Sequence, residues 1–282
     1  MLKGKKTVSM KKKTLQLVSI PVFILIGFLF SYFASFYYEY HAKNYVNPEL
    51  SGMITEEVMQ ATILLINEIR EENSIAYGVG SSGAIFMKEG NTCYFLTARH
   101  ALEFVDRGQV FYRVLGYGDL TFQEYFEQTG KWPLGGITGY YSRYPLARLE
   151  YTDEVYDLAI LSFVSEGPFS ALPLYSGDLK TGEPVVSIGN PEGIRNRISY
   201  GKIRNLSPVH FKDASGPVQY PMIRHTAYVS RGSSGGPVLN ASAEIVGISL
   251  AGGENVFRFF RHGLMMPADR VRQFLSDWEN NR

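Results

Sequence analysis

The chain has 282 residues, of which 45% are hydrophobic and 20% are charged. This composition is typical of a globular protein with a substantial core and excludes extensive disorder. The net charge is +1, but six lysines lie among the first thirteen residues, and the remainder holds 22 basic against 27 acidic residues. A mildly acidic body has no general attraction for phosphate backbones, so nucleic acid is excluded as an expected partner.

An uncharged apolar segment follows the lysines at residues 15–38 (LQLVSIPVFILIGFLFSYFASFYY) and is long enough to cross about 30 Å of hydrocarbon as a helix. We predict a transmembrane signal-anchor helix. The positive-inside rule makes residues 1–14 a basic cytoplasmic tail and puts the rest of the chain on the extracytoplasmic side, periplasmic or extracellular. A cleaved signal peptide is the alternative, but the apolar run is long and no clear A-x-A cleavage site follows it.

The polar residues 39–54 are interpreted as a short tether to a single domain at residues 55–282. In this domain, short β-rich runs separated by Gly, Pro, Asn and Asp indicate an all-β fold, for which antiparallel barrels are the preferred architecture. The runs are SGAIFM, CYFLTA, FYRVLGY, LAILSFV, EPVVSIG, ISYGKI, PVLN and EIVGISLA.

Two segments depart from the strand pattern. TEEVMQATILLINEI begins like a helix at Thr55, while its second half is equally compatible with a strand. Near the C-terminus, residues 267–278 (PADRVRQFLSDW) carry apolar side chains at helical spacing. This spacing predicts a closing helix packed against a barrel.

The segment most specific for chemistry is Gly232-Ser233-Ser234-Gly235-Gly236-Pro237. A serine is a weak nucleophile unless a base accepts its proton and hydrogen-bond donors meet the developing oxyanion. Glycines let the backbone turn tightly and direct amides, here those of Gly232 and Ser234, at one point. A glycine-rich hairpin between strands is the purely structural alternative.

His100 is the candidate base, because it ends the apolar run TCYFLTARH on a rigid support. Histidine can accept and return a proton near neutral pH. Asp157, directly before LAILSF, is the candidate acid that orients the imidazole, whereas Asp153 and Glu154 lie in a more polar stretch. No histidine pair has metal-ligand spacing and Cys93 is the single cysteine, so we expect no metal site.

The order His, Asp, Ser resembles the trypsin-like serine peptidases, and more closely their HtrA (DegP-like) branch. The resemblance covers about residues 60–278 and rests on SSGAIF, YFLTARHAL, YDLAIL, VVSIGNPEG with ISYGKI, RGSSGGPVLN, and EIVGIS with GLMMPADRV. It implies a double antiparallel β-barrel and endopeptidase activity without a cofactor. It also implies His100 as base, Asp157 as orienting acid, Ser234 as nucleophile, and the Gly232 and Ser234 amides as the oxyanion hole.

The resemblance further implies a primary substrate pocket at Tyr228, six residues before the nucleophile, with Ser249, Leu250 and Ala251 as its wall. A small or medium apolar P1 residue is expected, because no acid is placed to pair with a basic one. Ser233 departs from the family's usual Asn or Asp, and Arg99 occupies a normally small position. No PDZ domain follows. Residues 111–156 are longer than usual and are interpreted as an inserted surface loop near the cleft.

These observations predict a membrane-anchored serine endopeptidase that cleaves exported or misfolded proteins in envelope quality control. Its partners would be protein or peptide substrates and, through residues 15–38, the membrane. The alternative is a silent or latent scaffold that keeps the peptidase fold and binds envelope proteins. Reaction of Ser234 with a fluorophosphonate separates these alternatives.

Overall fold

The computed structural model describes residues 6–102, 109–209, 212–213, 216–217 and 222–282. The helices are α1 (Lys6–Asn44), α2 (Pro48–Ser51), α3 (Glu56–Gln60), α4 (Phe122–Thr129), α5 (Gly136–Tyr141) and α6 (Ala268–Asn281). The strands are β1 (Thr62–Arg70), β2 (Ile75–Glu89), β3 (Thr92–Ala98), β4 (Gln109–Leu115), β5 (Leu146–Asp153), β6 (Leu158–Val164), β7 (Pro184–Gly189), β8 (Arg197–Val209), β9 (Lys212–Asp213), β10 (Gly216–Pro217), β11 (Met222–His225), β12 (Pro237–Leu239), β13 (Ile245–Glu254) and β14 (Phe260–Pro267).

Two closed antiparallel barrels form the domain. The first has the strand order β1-β2-β3-β6-β5-β4 and the second β11-β14-β13-β12-β7-β8, while β9 and β10 form a separate two-stranded pair. The predicted double barrel with a closing C-terminal helix is therefore confirmed. The long helix α1 precedes it, as the sequence predicts.

The strands are apolar on both faces because each face has its own core. In β3, Cys93 and Phe95 point into the first barrel, whereas Tyr94 and Leu96 belong to a cluster between the two barrels. Alternation along a strand sends successive side chains to opposite faces, so a run such as CYFLTA is buried throughout. The cluster between the barrels also takes in Phe274 of α6.

The ambiguous segment TEEVMQATILLINEI contains both elements. Thr55 caps the short helix α3 by accepting a hydrogen bond from the Val58 amide at 3.3 Å, and strand β1 begins at Thr62. The β-branched and apolar residues of β1 pair with β2 and β4, and this tertiary pairing decides the second half of the segment.

Residues 39–54, which the sequence predicts to be a tether, are packed against the domain. Helix α1 continues through Glu39 to Asn44, and the side chains of Ala42 and Leu50 are buried. The Arg197 guanidinium donates to the Lys43 carbonyl at 2.7 Å. Polar residues after the apolar stretch thus find partners on the second barrel, which is why the helix does not end where its hydrophobicity does.

The segment between β4 and β5 is folded as well. It carries α4, capped by Thr121 and Glu124 in a capping box, and α5, whose Tyr140 and Tyr141 are buried against β1. The predicted surface loop is therefore a helical insertion with its own aromatic core. Two residues between β7 and β8 contact it: Arg195 donates to the Gly116 carbonyl at 2.7 Å, and Asn196 donates to the Tyr117 carbonyl at 3.1 Å.

Replacing Phe274 tests how much α6 contributes to the stability of the fold. Its ring is fully buried, with its centroid 5.5 Å from that of Tyr156, the residue before Asp157. We expect Phe274→Ala to lower the free energy of unfolding by about 3–5 kcal/mol, because it removes packing and leaves a cavity. Urea unfolding of the full chain in detergent micelles measures the loss. Ser276→Ala, at an exposed position of the same helix, should change stability by less than about 0.5 kcal/mol.

Candidate active site

His100, Asp157 and Ser234 are brought together although they lie far apart in the chain. His100 Nδ1 is 2.6 Å from Asp157 Oδ2, and His100 Nε2 is 3.1 Å from Ser234 Oγ. The His100 amide also donates to Asp157 Oδ1 at 2.9 Å. The carboxylate thus holds both the ring and the backbone of the histidine, and it fixes the ring orientation with Nε2 toward the hydroxyl.

The pairing of β3 with β6 positions the histidine and the aspartate. His100 lies in the 3₁₀ turn Arg99–Ala101 after β3, and Asp157 directly precedes β6. Ala98 is paired with Leu158, so both loops leave the same edge of the first barrel. Asp157 has a left-handed backbone (φ 52°), a conformation that Asp tolerates better than most residues, and its carbonyl accepts from the Arg99 amide at 3.0 Å.

Ser234 lies in a tight turn that requires its glycines. Gly232 (φ +96°) and Gly235 (φ +86°) have left-handed backbones. A Cβ on Gly232 would lie 2.4 Å from the Asn190 carbonyl oxygen, and one on Gly235 would lie 2.2 Å from the Ser82 carbonyl oxygen. Both positions therefore exclude larger residues through backbone conformation and close backbone approach.

The peptide planes of this turn orient the predicted oxyanion donors. The Arg231 carbonyl accepts from the Glu192 amide at 2.8 Å, and the Ser233 carbonyl accepts from the Gly236 amide at 3.0 Å. In a planar trans peptide the N–H points opposite to the C=O. The Gly232 amide shares a plane with the Arg231 carbonyl, and the Ser234 amide shares one with the Ser233 carbonyl. Each amide therefore points away from its carbonyl, and the hydrogen bond on that carbonyl fixes the amide's direction.

Sequence reasoning missed the role of Ser82, a buried residue of β2. Its hydroxyl donates to the Gly232 carbonyl at 2.7 Å and accepts from the amide and the side chain of Asn190 at 2.9 and 3.0 Å. Its own amide donates to the Ser234 carbonyl at 3.0 Å. The motifs SSGAIF and SIGNPEG contain these residues, but nothing in their spacing shows that they meet. Ser82 and Asn190 tie the turn that holds Ser234 to both barrels.

The predicted pocket residues differ in what they present to the cleft. Tyr228, Ser249 and Ala251 line a cleft of about 390 Å³ that also contains His100 and Ser234. Leu250 differs, because its side chain is buried in the cluster between the barrels. Its carbonyl oxygen instead accepts from Ser234 Oγ at 3.3 Å.

Acidic residues also line the cleft, although the sequence indicated none. They are Glu39 of α1, Glu192 and Glu254. The Tyr228 hydroxyl donates to Glu192 Oε1 at 2.5 Å, and this hydrogen bond holds the pKa of the Glu192 carboxyl below its ordinary value. Burial, together with the same bond, raises the pKa of Tyr228. Lys43 Nζ lies 3.7 Å from Glu192 Oε1 and 4.7 Å from the centre of the Tyr228 ring.

This arrangement is suited to nucleophilic acyl transfer. An imidazole between a carboxylate and a hydroxyl can accept the hydroxyl proton, while fixed amides can stabilise negative charge on a carbonyl oxygen. Among the residues that the structure describes, no group of three or more His, Cys, Asp or Glu could hold a metal ion.

Comparison with known proteins agrees with this class of site. Residues 81–248 match the family model described as the trypsin-like peptidase domain. The chain belongs to the trypsin-like peptidase family.

Within that family the chain is similar to Do-like (HtrA) serine proteases. It is 26% identical to "Serine protease Do-like HtrB" of Bacillus subtilis (strain 168) over 68% of the chain and 40% of the relative. It is 26% identical to "Serine protease Do-like HtrA" of the same organism over 73% of the chain and 43% of the relative. "Putative serine protease HhoA" of a Synechocystis species is 36% identical over 36% of the chain and 26% of the relative. The chain thus spans about two fifths of the length of the Bacillus relatives.

Replacing Ser82 tests whether it organises the turn that holds Ser234. We expect Ser82→Ala to slow fluorophosphonate labelling of Ser234 by about tenfold, because the Gly232 carbonyl and Asn190 lose their shared partner. Ser81→Ala is the matched control, since the Ser81 hydroxyl is also buried but bonds Thr97 Oγ1 at 3.0 Å. Both variants should lose about 1–3 kcal/mol of stability. Equal labelling rates in the two variants would contradict the proposed role.

Proposed function

We propose that this protein is a serine endopeptidase whose catalytic residues are Ser234, His100 and Asp157. The observation that carries the proposal is the continuous contact from carboxylate to imidazole to hydroxyl, at 2.6 and 3.1 Å. Ser234 Oγ attacks the scissile carbonyl while His100 Nε2 accepts its proton and then returns it to the leaving amine. Asp157 stabilises the imidazolium that forms, and the amides of Gly232 and Ser234 stabilise the oxyanion. Water then hydrolyses the acyl-enzyme by the same steps.

We also propose that the peptidase is anchored in a membrane by α1 and acts on exported or misfolded proteins on the extracytoplasmic side. Support comes from one described helix that is long and apolar enough to cross a membrane, a composition that a signal sequence can share. The six lysines among the first thirteen residues favour a cytoplasmic N-terminus. The name serine protease, which the relatives carry, agrees with protein substrates.

Removing the nucleophile is the direct test. We expect Ser234→Ala to reduce kcat on an unfolded protein such as casein by at least about 10³-fold with the fold retained, because the acyl-enzyme cannot form. It should also abolish fluorophosphonate labelling. Ser242→Ala, at an exposed turn outside the site, is the control and should label and cleave like the unchanged chain. Casein cleavage by Ser234→Ala at an unchanged rate would refute the assignment.

The pH profile tests the histidine base. We expect kcat/KM to rise as the pH is increased from 5 to 8, because only a neutral imidazole at His100 can accept the serine proton. Initial rates on a soluble peptide, with circular dichroism at each pH to verify folding, measure this dependence. A flat profile over this range would rule out His100 as the base.

A further inference from the structure

The hairpin between β13 and β14 ends in an apolar tip that lies along the membrane helix. The Phe257 ring packs edge-on against Phe28 and Tyr32, with centroid distances of 4.9 and 5.5 Å. Phe259 packs in the same way against Tyr32 and Phe36, at 5.2 and 5.9 Å. The tip is therefore attached to the part of α1 that the apolar composition assigns to the bilayer.

The depth of these contacts follows from helix geometry. Lys13 ends the basic tail, and about 20 helical residues cross the hydrocarbon, which puts its outer boundary near Phe33. Phe28 precedes this boundary by five residues, which is about 8 Å at 1.5 Å per residue. Because Phe257 contacts Phe28, the tip reaches the same depth. Interfacial segments typically penetrate about 5–10 Å below the headgroups.

The side chains around the tip fit such a position. Val256, at the turn of the hairpin, is 90% exposed, and apolar residues of α1 such as Phe28 and Phe30 are exposed as well. The neighbouring Arg258 side chain is long enough to extend its charge from an apolar tip toward the lipid headgroups. Its Nε lies 3.6 Å from Glu254 Oε2. An exposed apolar tip flanked by a cation is typical of a segment that enters a lipid leaflet.

Basic side chains lie farther out, where lipid headgroups would be. Tyr38 Oη of α1 and Arg204 Nη1 of β8 both donate to the Arg261 carbonyl, at 3.1 and 3.0 Å. Arg204 and Arg261 are exposed, and Arg224 of β11 is half-buried beside them. Tyrosine suits the interface, and arginines at this level can bind anionic phosphate groups.

We propose that the β13–β14 tip, residues 256–259, inserts into the extracytoplasmic leaflet beside α1 and holds the catalytic cleft at the membrane surface. The inference rests on the proposed membrane anchoring. Its occupant is lipid, because the tip is continuous with the apolar surface of α1, while the basic side chains of Arg204 and Arg261 lie farther out. The cleft is lined both by Glu39, which follows the outer boundary on α1, and by Glu254, Arg258 and Phe260 of the hairpin. Favoured substrates are therefore polypeptide segments next to the membrane.

A depth-sensitive probe tests the insertion. Cys93 is the single cysteine and is fully buried, so a cysteine introduced by Val256→Cys can be labelled selectively with the fluorophore NBD. In the full chain, reconstituted in phosphatidylcholine–phosphatidylglycerol vesicles, we expect blue-shifted emission. We also expect quenching by nitroxides on the lipid chains and protection from aqueous iodide. Leu134→Cys is the matched control, since Leu134 is 98% exposed on the insertion, and its probe should be quenched by iodide.

Two results would overturn the insertion. Iodide quenching at position 256 equal to that at position 134 would show that the tip lies in water. Protection from iodide without quenching by lipid nitroxides would show that protein, such as a second copy of the chain, covers the tip. Vesicle flotation tests the anchoring separately, because a chain that floats with a water-exposed probe would retain the anchor and refute only this inference.

A second variant tests the consequence for substrates. Val256→Glu puts a charge at the tip without touching the cleft, so kcat/KM on a soluble peptide should stay within about twofold. We expect Val256→Glu to lower the cleavage rate of a membrane-anchored substrate about tenfold when its scissile segment is next to the headgroups. Cleavage should be unchanged when a long linker separates the scissile segment from the membrane. An equal loss on both anchored substrates would refute the positional role. If the unchanged chain cleaves no substrate, the proposed peptidase activity fails, and the probe still decides the insertion.

Discussion

The packing of the two barrels against each other is the constraint on which the site depends. The first barrel supplies His100 and Asp157 from loops at one edge, and the second supplies Ser234. Side chains from both barrels and from α6 share one buried cluster, so the two halves of the site cannot move apart without exposing apolar surface. Catalytic groups on rigid, separately folded supports keep their relative positions.

Polar contacts then fix the details that apolar packing leaves undefined. The Ser82 hydroxyl links the turn that holds Ser234 to the Asn190 loop, and hydrogen bonds on two carbonyls orient the amides of Gly232 and Ser234. Buried polar groups of this kind are costly unless they are satisfied, and once satisfied they specify one arrangement. The left-handed backbone conformations of the turn are free of strain because glycine occupies them.

Helix α1 is part of this architecture. Glu39 accepts from the Phe260 amide at 2.6 Å and pairs with Lys43 at 2.8 Å, while Lys43 approaches Glu192 and Tyr228 in the cleft. The end of the helix thus contributes to the wall of the cleft that contains His100 and Ser234. This contact joins the position of helix α1 to the shape of the site, which a flexible tether would not do.

Local patterns in the sequence were sufficient for the barrel strands, the closing helix and the apolar helix, because alternation, helical spacing and hydropathy are properties of neighbouring residues. The ordered motifs around His100, Asp157 and Ser234 were likewise sufficient to predict the candidate triad. Only the tertiary structure decided whether residues 62–69 form a strand, whether Leu250 presents its side chain or its carbonyl, and how Glu39 and Ser82 reach the site. These outcomes depend on contacts between residues far apart in the chain, and such contacts leave no periodic signal in one sequence.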